Sequence, residues 1–265
     1  MNLHVKRYGS GAPLLLIHGW GMHGGMWGEV VNRLAEQFCV HVVDLPGHGH
    51  SGVCSTPLRA EQEQGVPAQL EQIVDTLAVQ FDEPLSLCGW SLGGQIALRW
   101  AMRYPQQIHR LVLVASTPCF VQQADWTCAL EATTLQQFSV ALQQHYAQTL
   151  RRFLALQVRG SEQERELLLT LRKTLFGRGE PELSALQAGL DILQDCDLRK
   201  HLAAIQNATL VVAGERDTLT PLAASEYMVN HLPNGRLSMI EGAAHAPFLS
   251  HTEVFLQNLK QFLHE

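Results

Sequence analysis

The chain has 265 residues, 46% of them hydrophobic and only 17% charged, a balance that builds a sizeable core and excludes a disordered polymer. A formal net charge of -6 gives no overall basic footprint, so nucleic acid is not an expected partner. No apolar run is long enough to cross a bilayer, and Leu14–Ile17 is too short for a signal-peptide core, so a soluble, cytoplasmic, monomeric protein with no membrane partner is expected. The cysteines Cys39, Cys54, Cys88, Cys119, Cys128 and Cys196 form no C-x-x-C pair, which fits reduced thiols packed as small hydrophobes.

In chain order, the first strands are expected at Leu14–Ile17, Val40–Asp44, Leu85–Gly89 and Leu111–Ala115. Unbroken apolar runs of this kind are buried on both faces, as in a mostly parallel sheet flanked by helices. Helices fit Met26–Gln37, Pro67–Gln80 and Leu92–Tyr104, the last closed by Pro105. From Phe120 to Leu193 the β-rich runs vanish, and Gln, Leu, Ala and Arg recur at helical spacing, predicting an inserted helical cap. The α/β pattern then resumes with a strand at Thr209–Gly214 and a helix opened by Thr220 as cap and Pro221 at its first position. A last strand, Leu237–Ile240, and a last helix, Glu253–Leu263, complete the chain. The expected division is a core of residues 1–119 and 194–265 with a cap of residues 120–193.

Gly89-Trp90-Ser91-Leu92-Gly93 matches G-x-S-x-G. Chance supplies about 0.08 such matches in a chain of this composition, so the context must carry the assignment. Here a buried strand ends at Gly89 and a helix opens at Leu92. The sharp turn between them strains Ser91 and exposes its hydroxyl beside a helix N-terminus. A serine hydroxyl needs a base, and the base needs an acid to fix its tautomer. Two loops after late strands offer them. Gly214-Glu215-Arg216-Asp217 holds Asp217, with Glu215 as competitor, and Glu241-Gly242-Ala243-Ala244-His245 holds His245, with His251 as competitor.

These motifs and their order resemble the α/β-hydrolase superfamily over nearly the whole chain. The resemblance implies an α/β-hydrolase fold with Ser91 as nucleophile, Asp217 as acid and His245 as base. His18-Gly19-Trp20-Gly21 resembles the family's loop after the first core strand. It implies an oxyanion hole from the backbone N–H groups of Trp20 and Leu92, with His18 bracing the loop. No nucleotide-binding glycine motif and no metal-ligand spacing is present, so neither a cofactor nor a metal is expected.

A closer resemblance is to the biotin-pathway esterases that demethylate pimeloyl-acyl-carrier-protein methyl ester. It rests on Gly89-Trp90-Ser91-Leu92-Gly93-Gly94, Pro118-Cys119-Phe120, Arg152-Phe153-Leu154-Ala155-Leu156-Gln157 and Ala244-His245-Ala246-Pro247-Phe248. It implies a carboxylesterase acting on an acyl-carrier-protein-linked ester, with Trp20, Phe153, Leu156 and Gln157 at the substrate. The stretch from Arg151 to Arg178 carries seven basic residues against Glu162, Glu164 and Glu166, a local balance of +4. Such a face would steer an acidic carrier protein, with Arg152, Arg165 and Arg172 as the expected docking residues. A general short-chain carboxylesterase and a hydrolase of carbon–carbon bonds share the same triad. A non-catalytic ligand receptor on the same fold is a third reading.

Overall fold

The computed structural model describes residues 3–53, 63–161 and 163–265; Cys54 and Glu162, named above, lie outside them. Seven strands form one sheet: β1 (Val5–Tyr8), β2 (Ala12–Ile17), β3 (Phe38–Val43), β4 (Leu85–Trp90), β5 (Ile108–Val114), β6 (Thr209–Gly214) and β7 (Gly235–Ile240). Their spatial order is β1-β3-β2-β4-β5-β6-β7. All neighbours run parallel except β1, which pairs antiparallel with β3, Val5 opposite Val43.

The unbroken apolar runs follow from a core on each face of this sheet. Leu15 and Ile17 of β2 join one core with Leu87 and Leu113, whereas Leu14 and Leu16 join the other with Cys88, Val112 and Val114. Each such side chain removed from water contributes roughly 1.5–3 kcal/mol. The helices that cover the sheet are α1 (Glu29–Ala35), α2 (Ala68–Ala78), α3 (Leu92–Arg103), α8 (Leu222–His231), α9 (Pro247–Ser250) and α10 (Thr252–His264). Arg99 and Arg103 of α3 both grip the buried carboxylate of Glu71 on α2. That pairing fastens the helix whose first turn follows Ser91.

Between β5 and β6 lie α4 (Ala132–Gln144), α5 (Tyr146–Val158), α6 (Glu164–Phe176) and α7 (Leu183–Asp195). The boundary expected at 193 therefore falls inside α7. The chain leaves for these helices and returns from them at one place, where Cys119 and Asp197 form an antiparallel bridge.

Two local expectations are corrected, and one strand is added. The helix expected at Met26–Gln37 is a 3-10 turn, Gly24–Trp27, followed by α1. The two are separated by Gly28 at φ +53, a conformation open to glycine but not to a continuing helix. β1 was not expected: two of its four residues, Lys6 and Arg7, face solvent at the sheet edge. Finally, Pro221, not Thr220, is the N-cap of α8, and no side chain caps that helix.

Candidate active site

The strand ends place the candidate residues along one edge of the sheet. β2 and β4 are neighbours in the sheet, so the His18–Gly21 loop and Ser91 emerge side by side. β6 and β7 are neighbours as well, and the loops carrying Asp217 and His245 follow them. This carboxyl edge of a parallel sheet is where such folds place their ligands.

Ser91 has φ 55 and ψ -117, a conformation costing about 1–3 kcal/mol for a residue with a Cβ. The turn is over-determined. The Ser91 amide donates to the Val114 carbonyl at 2.9 Å, and its own carbonyl accepts from the Ser116 hydroxyl at 2.9 Å. A Cβ on Gly93 would meet the Ile17 carbonyl oxygen at 2.4 Å, so only glycine lets α3 start this close to β2. On the other side, a Cβ on Gly19 would meet the Ser91 Cβ at 3.2 Å. The loop holding Trp20 therefore lies directly against Ser91.

His18 braces that loop. Its Nε2 accepts from the Leu45 amide at 2.9 Å, so Nδ1 carries the proton and donates to the Gly19 carbonyl at 2.8 Å. Burial, reinforced by the neighbouring His48 ring, pushes its pKa down to about 3, and the ring is neutral at pH 7. Burial likewise pushes His48 down to about 4.

Asp217 and His245 form a buried pair, with Nδ1 2.8 Å from Oδ2. Burial works to raise the Asp217 pKa, but the His245 charge and the hydrogen bonds from His245 and Thr220 outweigh it, holding the carboxyl below the usual range. Its Oδ1 accepts the amides of Leu219 at 2.8 Å and Thr220 at 3.0 Å. Its Oδ2 also accepts the Thr220 hydroxyl at 2.7 Å. The Trp90 indole donates to the His245 carbonyl at 2.8 Å and anchors that loop. With Nδ1–H given to the carboxylate, Nε2 is the free lone pair, and it is buried with no hydrogen-bond partner among the described residues. Of the competitors, Glu215 accepts the Gly242 amide at 2.9 Å and His251 precedes α10, its Nδ1 2.8 Å from the Ser250 hydroxyl.

Ser91 opens into a cavity of about 630 Å³, mostly apolar, lined by Trp20, Phe138, Phe153, Leu156, Leu190 and Leu219 among others. Trp20 is its keystone. Its ring meets Phe153 edge-on at 4.7 Å and Phe138 at 5.4 Å, and its indole N–H donates to the Leu186 carbonyl of α7 at 2.8 Å. Arg152 of α5 and Arg159, the residue that ends that helix, are both exposed and also line the cavity.

Gln157 is a correction. It does not line the cavity but is buried, 1% exposed, with Nε2 unpaired. It shares the face of α5 that carries Leu154 and Val158 into the core. Arg165 and Arg172 are exposed on α6, away from the cavity lining. Arg178, counted in the basic stretch, is instead paired with buried Asp44 at 3.4 Å. Sequence reasoning missed Arg159 and Thr220. An Asp followed three residues later by Thr is the local signal that could have found the second.

The chain belongs to the α/β-hydrolase family, whose alpha/beta hydrolase fold description matches residues 12–252. The likeness of fold extends to an esterase from Exiguobacterium antarcticum, with a TM-score of 0.87 at 22% identity, covering 99% of this chain and 96% of that one. More specifically, the chain is 44% identical over 256 residues to the pimeloyl-acyl-carrier-protein methyl ester esterase of Nitrosomonas europaea, covering 96% of this chain and 97% of the relative. It is 39% identical to the protein of the same name from Aeromonas hydrophila, covering 99% and 100% of the two chains. The family expected from the short motifs is the one these comparisons return.

Proposed function

We propose that the protein is a serine carboxylesterase that hydrolyses the methyl ester of pimeloyl-acyl-carrier protein, releasing methanol in biotin biosynthesis. The observation that carries this reading is the shared cavity, in which buried Ser91 and exposed Arg152 and Arg159 line one apolar space. An ester-bearing acyl chain fits its apolar wall, and an acidic carrier fits its basic rim. Full-length similarity to esterases named for that substrate supports the choice.

In this reading Ser91 attacks the ester carbonyl while His245 Nε2 takes its proton, and Asp217 holds the imidazole in the right tautomer and stabilises its charged form. The Trp20 and Leu92 amides face the developing oxyanion, beside a helix N-terminus that favours negative charge. His245 then protonates the leaving methoxide. Water, activated by the same imidazole, attacks the acyl-enzyme, and the free acid leaves. Trp20, Phe153 and Leu156 contact the acyl chain; Gln157, buried outside the cavity lining, does not. Arg152, Arg165 and Arg172, joined by Arg159, form the docking face. Residues 120–193 act as the cap over a core of 1–119 and 194–265.

The same reading makes the protein a cytoplasmic monomer. Among the described residues no helix is long and apolar enough to cross a membrane, and Cys39, Cys88, Cys119, Cys128 and Cys196 are free thiols, as a reducing compartment would keep them. The deciding experiment compares methyl pimeloyl-acyl-carrier protein with p-nitrophenyl esters of increasing length. A much higher kcat/KM on the carrier-linked ester is expected. Cleavage of short esters with the carrier-linked ester untouched would reduce the assignment to a general carboxylesterase.

A further inference from the structure

The Asp217 carboxylate is held unevenly. Oδ1 is fixed by two backbone amides, those of Leu219 and Thr220, which belong to its own loop. Oδ2 is held by side chains, the Thr220 hydroxyl at 2.7 Å and His245 Nδ1 at 2.8 Å. The Thr220 oxygen also lies 3.4 Å from His245 Nδ1, so the three atoms form a closed triangle. Thr220 is 1% exposed, and its β-branched side chain has few rotamers to choose from.

The hydroxyl has been diverted to reach this position. Thr220 stands just before α8, where a threonine ordinarily caps the first turn. Yet the N-cap is Pro221, and the helix has no side-chain cap. The neighbouring charged residues turn elsewhere: Glu215 accepts the Gly242 amide, and Arg216 donates to the Gly160 carbonyl at 3.2 Å. Among the described residues no other side chain bonds Oδ2.

We propose that Thr220 is a positioning residue of the reaction, its hydroxyl fixing Asp217 Oδ2 so that His245 is presented to Ser91 in one orientation. The inference rests on the triad reading above. Thr220 does not touch substrate. Its hydroxyl keeps the carboxylate from swinging about its Cβ–Cγ bond when the imidazole becomes charged and shifts toward the serine. Without that hydroxyl, His245 is the only side chain among the described residues that bonds Oδ2, and the carboxylate is restrained through Oδ1 alone, so its Oδ2 edge is free to shift with the imidazole.

The test is a double-mutant cycle read with p-nitrophenyl butyrate, which needs no carrier protein. Thr220→Val keeps the shape and removes the donor. It is expected to lower kcat about tenfold, the equivalent of one hydrogen bond to a charged group, with KM unchanged. Thr220→Ser, which restores the hydroxyl, is expected to recover most of the loss. In an Asp217→Asn background the same Thr220→Val change is expected to cost less than about twofold, because the oriented carboxylate is already gone. Thr220→Ala serves for the same comparison if the valine variant does not fold. An equal loss in both backgrounds, no loss in the parent, or no recovery with serine overturns the proposal. The triad reading fails separately, through a Ser91→Ala enzyme that still turns over this ester.

Discussion

The two walls of the active site are built by different means. On the sheet side, the candidate catalytic groups follow closely on strand ends, and main-chain hydrogen bonds tie the Ser91 turn to Val114 and the Asp217 carboxylate to its own loop. On the cap side, Phe153, Leu156 and Phe138 are placed by packing between helices. A wall fixed by backbone tolerates few changes of sequence. A wall fixed by side-chain packing can be reshaped one residue at a time. In the proposed reading the sheet side therefore carries the reaction, and the cap side chooses what reacts.

Substitutions on the two walls should separate in size and kind. Ser91→Ala is expected to lower kcat by about 10⁴-fold or more on every ester tested, with an unchanged melting temperature; residual turnover above that level would remove Ser91 from the mechanism. Arg152→Glu together with Arg165→Glu is expected to cost about tenfold in kcat/KM on the carrier-linked ester and almost nothing on a short soluble one. Equal losses on both would dissolve the division between the walls. On the sheet side again, His18 and His48 are neutral in the fold down to about 3 and about 4, but titrate near 6.5 when unfolded. Between those limits the unfolded chain takes up protons that the folded one refuses, so stability falls as pH drops from 6.5 toward 4. Thermal denaturation should show a loss of roughly 5 °C or more between pH 7 and pH 5, and His48→Gln should shrink it. The smallest effect is expected for Gln157→Leu. Its buried Nε2 has no partner to lose, so kcat/KM should change less than about twofold and the melting temperature should hold or rise slightly.

The same contrast decides what could be read from the sequence. β2, β4, β5 and β6 announce themselves as apolar runs because both faces are buried, and the loops that follow them carry Trp20, Ser91 and Asp217. β1 escaped notice because an edge strand with Lys6 and Arg7 outward has no such run. Gln157 departs from its expected place for a related reason. On α5 a shift of one residue turns a side chain by about 100°. Leu156 therefore faces the cavity while Gln157 faces the core with Leu154 and Val158. Sequence spacing gives the period of a helix but not which stripe meets which neighbour. Thr-Pro is a good local start signal that points to Thr220 as a cap, and the competing demand comes from a carboxylate the helix does not contain.

Trp20 joins the two walls: its backbone belongs to the loop beside Ser91, and its indole is bonded to Leu186 and packed on Gly189, where an added Cβ would strike its Cδ1 at 2.6 Å. For anyone recombining caps among relatives, this cap is not a module. A transplanted lid must bring its own carbonyl to the indole N–H and its own gap for the ring. Otherwise the graft imposes a buried unpaired donor or a clash on the loop that lies against the nucleophile. Inheritance of the cap and of that loop is thereby linked, and substrate range can drift only along paths that keep the main-chain carbonyl of residue 186 and the gap at Gly189 in place.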